Sequence, residues 1–110
     1  MFFIFKKDCD PENGCLQFIP GSQNYPLARR FIRNPNKEEF DQGKFLIYTS
    51  DLPQYDEEKF VHVPIKAGDA IVIDGMVVHR SSPNFSPRSR HIYTFHVYEG
   101  HNSIFSKDNW

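Results

Sequence analysis

The sequence predicts an all-β sandwich or barrel, and three observations lead there. The 110 residues include 11 Phe and 5 Tyr interspersed with Val and Ile, side chains that suit a pleated, half-buried surface better than a helix. Eight Pro and six Gly cut the chain into short runs, giving roughly six to eight strand-length segments. No stretch of about ten residues or more repeats its apolar positions with helical periodicity.

Residues 2–5 (Phe-Phe-Ile-Phe) read as a short strand. Residues 10–14 (Asp-Pro-Glu-Asn-Gly) form a turn, because Pro fixes φ and Asn-Gly tolerates positive φ. Residues 15–19 are a strand with Leu16 and Phe18 on one face, stopped by Pro20 and Gly21, so a hairpin about the Asn-Gly turn is expected. Residues 28–33 read as a short strand with a basic edge, residues 34–44 as a polar surface loop, and residues 45–48 as a further strand. Residues 56–58 are solvated charge. Residues 60–64 alternate and end at Pro64, which marks an edge. Residues 70–73 (Ala-Ile-Val-Ile) are continuously apolar, as in a strand covered on both faces. Gly75 breaks that run, residues 76–79 continue it to His79, and a loop held by Pro83 and Pro87 leads to the strongest strand pattern, residues 91–98. The tail offers Ile104, Phe105 and Trp110 as anchors.

The length suits one small domain. A net charge of −1 gives no basic face and so no support for nucleic-acid binding. No apolar run approaches the ~18 residues of a membrane span. The apolar start is too short for a secretion signal and its lysines follow instead of preceding it. No peroxisomal address is visible, and cytoplasm is the default location. Without a secretion signal, Cys9 and Cys15 read as two free thiols and not as a disulfide.

One constellation carries chemistry. His79 ends an apolar run beside a loop, a suitable place for a metal ligand. Arg90 follows the loop, and an antiparallel return would bring both side chains to one mouth of the fold. Ser81 shares the face of His79 if the strand continues. An imidazole, a hydroxyl and a guanidinium fork on one wall suit a ligand with a chelating end and a carboxylate tail. The alternative for Arg90 is a surface guanidinium beside an Asp or Glu. His62, His91, His96 and His101 lack such company.

Several spaced phrases, Glu12-Asn-Gly-Cys-Leu-Gln-Phe-Ile-Pro-Gly-Ser22, Gly68-Asp69, Val78-His79-Arg80-Ser81 and Ser89-Arg90-His-Ile-Tyr-Thr-Phe-His96, together resemble the phytanoyl-CoA dioxygenase family. The resemblance covers residues 8–110 and fades over residues 1–7, an atypical lead-in. It implies a double-stranded β-helix, or jelly roll, that uses Fe(II) and 2-oxoglutarate to hydroxylate a small organic substrate. By that likeness His79 matches an iron ligand, Arg90 the arginine that grips the far carboxylate of 2-oxoglutarate, and Ser81 a helper there.

The chain departs from the pattern as well. The family holds iron with two histidines and a carboxylate, two of them in a His-x-Asp motif upstream of the Glu-Asn-Gly-Cys turn. No His-x-Asp or His-x-Glu occurs in this sequence. Gln23 stands where a histidine often ends the Pro-Gly-Ser phrase, and Phe3 falls near a family tryptophan. Neither Asp74 nor Asp69 has the spacing to substitute as a ligand. The expected state is a C-terminal segment of a dioxygenase, a partial jelly roll inactive by itself. The alternatives are a cupin-like module that binds carboxylate without iron, or a partner of a full-length relative. If Arg90 faces the cavity, then Tyr93, Phe95 and Val97 face outward, and self-association through uncovered strands is expected.

Overall fold

The computed structural model describes residues 1–109. Among these residues there are eight strands, β1 (Phe2–Phe5), β2 (Leu16–Phe18), β3 (Phe31–Arg33), β4 (Leu46–Tyr48), β5 (Val61–Val63), β6 (Ala70–Val72), β7 (His79–Ser81) and β8 (Ile92–Phe95), with one five-residue helix, α1 (Lys37–Asp41). All strand pairs are antiparallel, and the fold is all-β, of jelly-roll type. The chain divides into two compact units, Met1–Tyr25 with Tyr55–Val97, and Pro26–Gln54 with Tyr98–Trp110.

The first unit contains two three-stranded sheets, β6-β1-β8 and β5-β2-β7. Alternation along β1 explains the first: Phe3 and Phe5 point to the core, with Phe3 opposite Ile71 and Thr94 and Phe5 opposite Ile92. Phe5 is 1% exposed and joins Cys9, Cys15, Leu16 and Ile73 in the central cluster. Leu16 and Phe18 bring the second sheet to the same core. Burying a side chain such as Phe5 or Leu16 contributes about 1.5–3 kcal/mol.

The connectivity corrects four expectations. β1 and β2 are not a hairpin, since each is the central strand of a different sheet. The 10–14 turn is a 3-10 turn (Pro11–Asn13) that carries the chain from one sheet to the other. Likewise β7 and β8 do not return on one another: β7 pairs with β2 and β8 with β1, so residues 82–91 also cross between sheets. His79 opens its strand instead of closing one. The Asp74 side chain accepts from the Met76 amide at 2.8 Å, and Val77 N–H reaches the Asp74 carbonyl at 3.3 Å, so residues 74–77 turn. The apolar run at residues 70–73 is covered on one face only: Ile73 is buried and Val72 is 71% exposed.

The outer face of β6-β1-β8 is therefore apolar. Phe2 stacks on Phe95 with centroids 4.8 Å apart, and Val72, Ile4 and Tyr93 lie exposed on the same side.

In the second unit β3 pairs with β4, and Phe31 and Tyr48 meet at 4.6 Å. Helix α1 forms inside the segment expected to be a loop. Asn36 caps it, accepting from Glu38 and Glu39 amides at 3.0 and 3.2 Å, a local signal in Asn36-Lys-Glu-Glu that is too short to show periodicity. The tail is fixed by Asp108, which takes both guanidinium nitrogens of Arg30 at 2.9 and 2.7 Å. Ile104 is 97% exposed and anchors nothing, Phe105 rests on Tyr98 at 5.6 Å, and Trp110 lies outside the described residues. Among the described residues no helix is long and apolar enough to cross a membrane.

Candidate functional site

β2 is the ruler against which the sequence-predicted residues can be placed. In its antiparallel register with β7, Phe18 stands opposite His79 and Leu16 opposite Ser81. Directly opposed residues share a face, so His79 and Ser81 stand on the side that Leu16 and Phe18 turn to the core. The His79 ring stacks on Phe18, with centroids 5.9 Å apart. Its Nδ1 lies 3.0 Å from the Val77 carbonyl. A carbonyl only accepts, so Nδ1 is the donor in this contact, and Nε2 has no hydrogen-bond partner among the described residues. Ser81 is exposed.

Arg90 precedes β8 by two residues and shares the face of Ile92, which is opposite Phe5. Its Nη1 donates to the Gly14 carbonyl. Gly14 has φ 81° and ψ 49°, a left-handed conformation that favours glycine. The space beside its Cα is filled by the Ser82 carbonyl and Nη1 of Arg90, so a side chain there would collide with backbone. Thus His79 and Ser81 stand opposite Phe18 and Leu16 across the β2–β7 pair, Ser81 exposed, while Arg90 reaches the Gly14 carbonyl at the turn that precedes β2. No hydrogen bond joins the three side chains to one another among the described residues.

The turn that presents Gly14 is heavily braced. Asp10 accepts from the amides of Glu12 and Asn13 at 3.0 and 3.3 Å, and the Asp10 amide donates in turn to Asn13 Oδ1 at 2.8 Å. Asn13, fully buried, also donates through Nδ2 to the Asp8 carbonyl at 2.8 Å. The acids of this region already have cations. Arg88 binds both oxygens of Asp10 at 2.9 Å and Glu12 at 3.0 Å. Lys66 binds Asp8 at 3.0 Å. Arg88 holds the Asp10 carboxyl below its ordinary range, helped by the Asn13 and Glu12 amides. The Ala67 amide and Lys66 do the same for Asp8. Arg90, half-buried, has no carboxylate partner among the described residues. The reading of Arg90 as a surface guanidinium beside an acid is therefore not what is seen. Cys9 and Cys15 are free and buried nearby; burial pushes both thiols up, and the positive charge of Arg90 opposes that rise.

Two arginines were not legible as site residues. Arg88 is one. Arg80, between His79 and Ser81, points to the other side of β7: its Nε donates to Gln17 Oε1 at 3.1 Å, its Nη2 meets Glu57 at 2.6 Å, and its guanidinium lies 3.7 Å over the Phe60 ring. Strand alternation signals that opposite face, but Glu57 and Gln17 are remote in sequence. His62 also lies on that far face, its Nδ1 3.5 Å from Cys15 Sγ.

Among the described residues no three His, Cys, Asp or Glu side chains converge on a point. One imidazole does not hold Fe(II), so these residues do not fit an iron ion unaided. An open groove of about 390 Å³ adjoins β2. Phe18, Val63, Ile71 and Val77 line it, with Gln23 and Asp74 as polar members, and Phe18 is the ring it shares with His79.

The family model for phytanoyl-CoA dioxygenase (PhyH) matches residues 2–92. The chain is 47% identical over 108 residues to phytanoyl-CoA dioxygenase domain-containing protein 1 of Danio rerio, covering 98% of this chain and 36% of that protein. It is 46% identical over 111 residues to the Dictyostelium discoideum homolog of that protein, covering 100% of this chain and 38% of the relative. It is 42% identical over 108 residues to phytanoyl-CoA dioxygenase of Arabidopsis thaliana, covering 98% and 35%. The chain thus spans little more than a third of the length of these curated relatives.

Proposed function

Because this chain belongs to the phytanoyl-CoA dioxygenase family, we propose that it is the carboxylate-gripping segment of an Fe(II)/2-oxoglutarate dioxygenase jelly roll. In this reading Arg90 takes the far carboxylate of 2-oxoglutarate, Ser81 assists from β7, and His79 offers Nε2 as a single iron ligand. The observation that carries it is the half-buried Arg90, held by one carbonyl while the neighbouring acids are bound to other cations. The Nε and Nη2 side of that guanidinium, which has no hydrogen-bond partner among the described residues, can receive a carboxylate through two parallel hydrogen bonds.

Alone, the chain is inactive, since one imidazole cannot complete a two-His-one-carboxylate set. The organic substrate, an acyl-CoA if the family name extends to this chain, lays its apolar part along the groove at Phe18. The free thiols of Cys9 and Cys15 suit the reducing cytoplasm. The uncovered apolar face of β6-β1-β8 makes the chain self-associate, a second copy burying Val72 and Tyr93.

Arg90 with Ser81 supplies about 3–5 kcal/mol through charge-assisted bonds, which corresponds to ~millimolar affinity or weaker. Calorimetric titration with 2-oxoglutarate tests this. Saturable binding that Arg90→Gln abolishes supports the reading, and binding equal in the two proteins refutes it. The lone imidazole beside an uncommitted guanidinium also favours a second reading, a carboxylate-binding module without iron. Iron-dependent succinate formation once a full-length relative is supplied favours the enzyme; tight binding indifferent to metal favours the module.

A further inference from the structure

We infer that Arg88 is a positioning residue for Arg90: by occupying Asp10 and Glu12 it keeps those carboxylates from capturing the Arg90 guanidinium, which then remains open to an exogenous carboxylate. This rests on the carboxylate role given to Arg90 above.

The geometry is specific. Asp10 and Glu12 belong to the turn whose next residue but one, Gly14, holds Nη1 of Arg90 through its carbonyl. The two acids and Arg90 therefore share one neighbourhood, and both Asp10 and Arg90 act electrostatically on Cys9 and Cys15. An uncompensated carboxylate there would be the natural partner of a half-buried guanidinium. Arg88 removes that option with bonds of 2.9 Å to each Asp10 oxygen and 3.0 Å to Glu12.

Arg88 is itself held in place. Asn84 Nδ2 donates to the Arg88 carbonyl at 2.6 Å, the Ser86 amide donates to Asn84 Oδ1 at 3.0 Å, and the Arg88 amide donates to Ser86 Oγ at 3.3 Å. The crossover loop is thus folded on itself just before Arg90. Two arginines two residues apart are sorted, one to the internal acids and one to the Gly14 carbonyl. The Gly14 carbonyl orients Arg90 without neutralising it, which an acid in the same place would do.

The test is 2-oxoglutarate affinity by calorimetry together with the Arg90 Nε–Hε signal by NMR, in the full chain. Arg88→Gln is expected to weaken 2-oxoglutarate about three- to five-fold, the range that partly exposed ion pairs supply. Adding Asp10→Asn and Glu12→Gln to Arg88→Gln removes the competing acids and is expected to restore affinity to within about two-fold. Asn at position 10 still caps the turn, so a merely structural role for Arg88 predicts no such rescue. Loss without rescue, or no loss, overturns the inference. If Arg88→Gln does not fold, Arg88→Lys keeps the cation and is expected to stay within about two-fold of the unmodified chain; a folded Arg88→Lys weakened five-fold or more would overturn the proposal. The NMR signal is independent of ligand: in Arg88→Gln it moves to that of an ion-paired guanidinium even if 2-oxoglutarate does not bind, which would refute the carboxylate role and leave the sorting role intact. An unmoved signal overturns the sorting.

Discussion

Replacing Gly14 by alanine isolates the close approach on which the Arg90 contact depends. Gly14 has φ 81°, and the new methyl would enter the space held by the Ser82 carbonyl and Nη1 of Arg90. Gly21 has φ 79° with nothing near its Cβ position. Both substitutions bear the left-handed penalty of about 1–2 kcal/mol. Only Gly14→Ala adds overpacking against backbone, a further ~1–3 kcal/mol. The sum, about 2–5 kcal/mol, is a large part of the 5–15 kcal/mol that stabilises a typical domain. At roughly 4–8 °C per kcal/mol for a chain of this size, the extra term separates the two melting temperatures by at least about 4 °C. Thermal melts followed by circular dichroism measure that separation. Gly14→Ala should also weaken 2-oxoglutarate, since the methyl displaces Arg90. Equal melting temperatures for the two variants would show that Ser82 does not lie against Gly14, and the site as described would be wrong.

The remaining expectations concern other parts of the chain. Arg30 and then Ser106 hold Asp108 down from 3.8 to about 2. A depressed carboxyl contributes stability above its unfolded value, and that stability is lost as pH falls through the folded one; the window therefore runs from 3.8 down to about 2. NMR titration of the Asp108 carboxyl should give that midpoint, and Arg30→Gln should return it towards 3.8; a value near 3.8 in the unmodified chain would remove the ion pair from the account. On the bare sheet face, Tyr93 is 62% and Val72 71% exposed. Tyr93→Glu with Val72→Lys should shift sedimentation towards monomer without lowering the melting temperature. Self-association unchanged by the pair would place the contact elsewhere.

What the sequence revealed and what it concealed divide along a physical line. Local chemistry was legible: the Pro-Glu-Asn-Gly turn, the alternation of Leu16 and Phe18, and the outward set Tyr93, Phe95 and Val97 follow from residue type and spacing. The pairing of strands was not. Asn13-Gly14 marks a tight reversal whether the flanking strands pair with each other or join different sheets, and here they do the latter. The run at residues 70–73 looks like a doubly covered strand because apolar content does not say what lies on each face. Helix α1 escaped notice because five residues, fixed by the Asn36 cap, are too few to show a period. At the site, the shared face of His79 and Ser81 follows from alternation, but the antiparallel return expected to bring Arg90 beside them does not occur, because β7 and β8 pair with different strands. The role of Arg88, whose acids lie 76 and 78 positions away, does not follow from it. Long-range ion pairs leave no mark on local pattern.

The central claim is that Arg90, held at the Gly14 carbonyl beside the β2–β7 pair that carries His79 and Ser81, is free to take a carboxylate. The most direct measurement is an amide and side-chain NMR titration of the isotope-labelled chain with 2-oxoglutarate. Saturating shifts concentrated at Gly14, Ser81 and the Arg90 guanidinium are expected, and they should vanish in Arg90→Gln. Shifts confined to other surfaces, or a response that survives Arg90→Gln, would contradict the account.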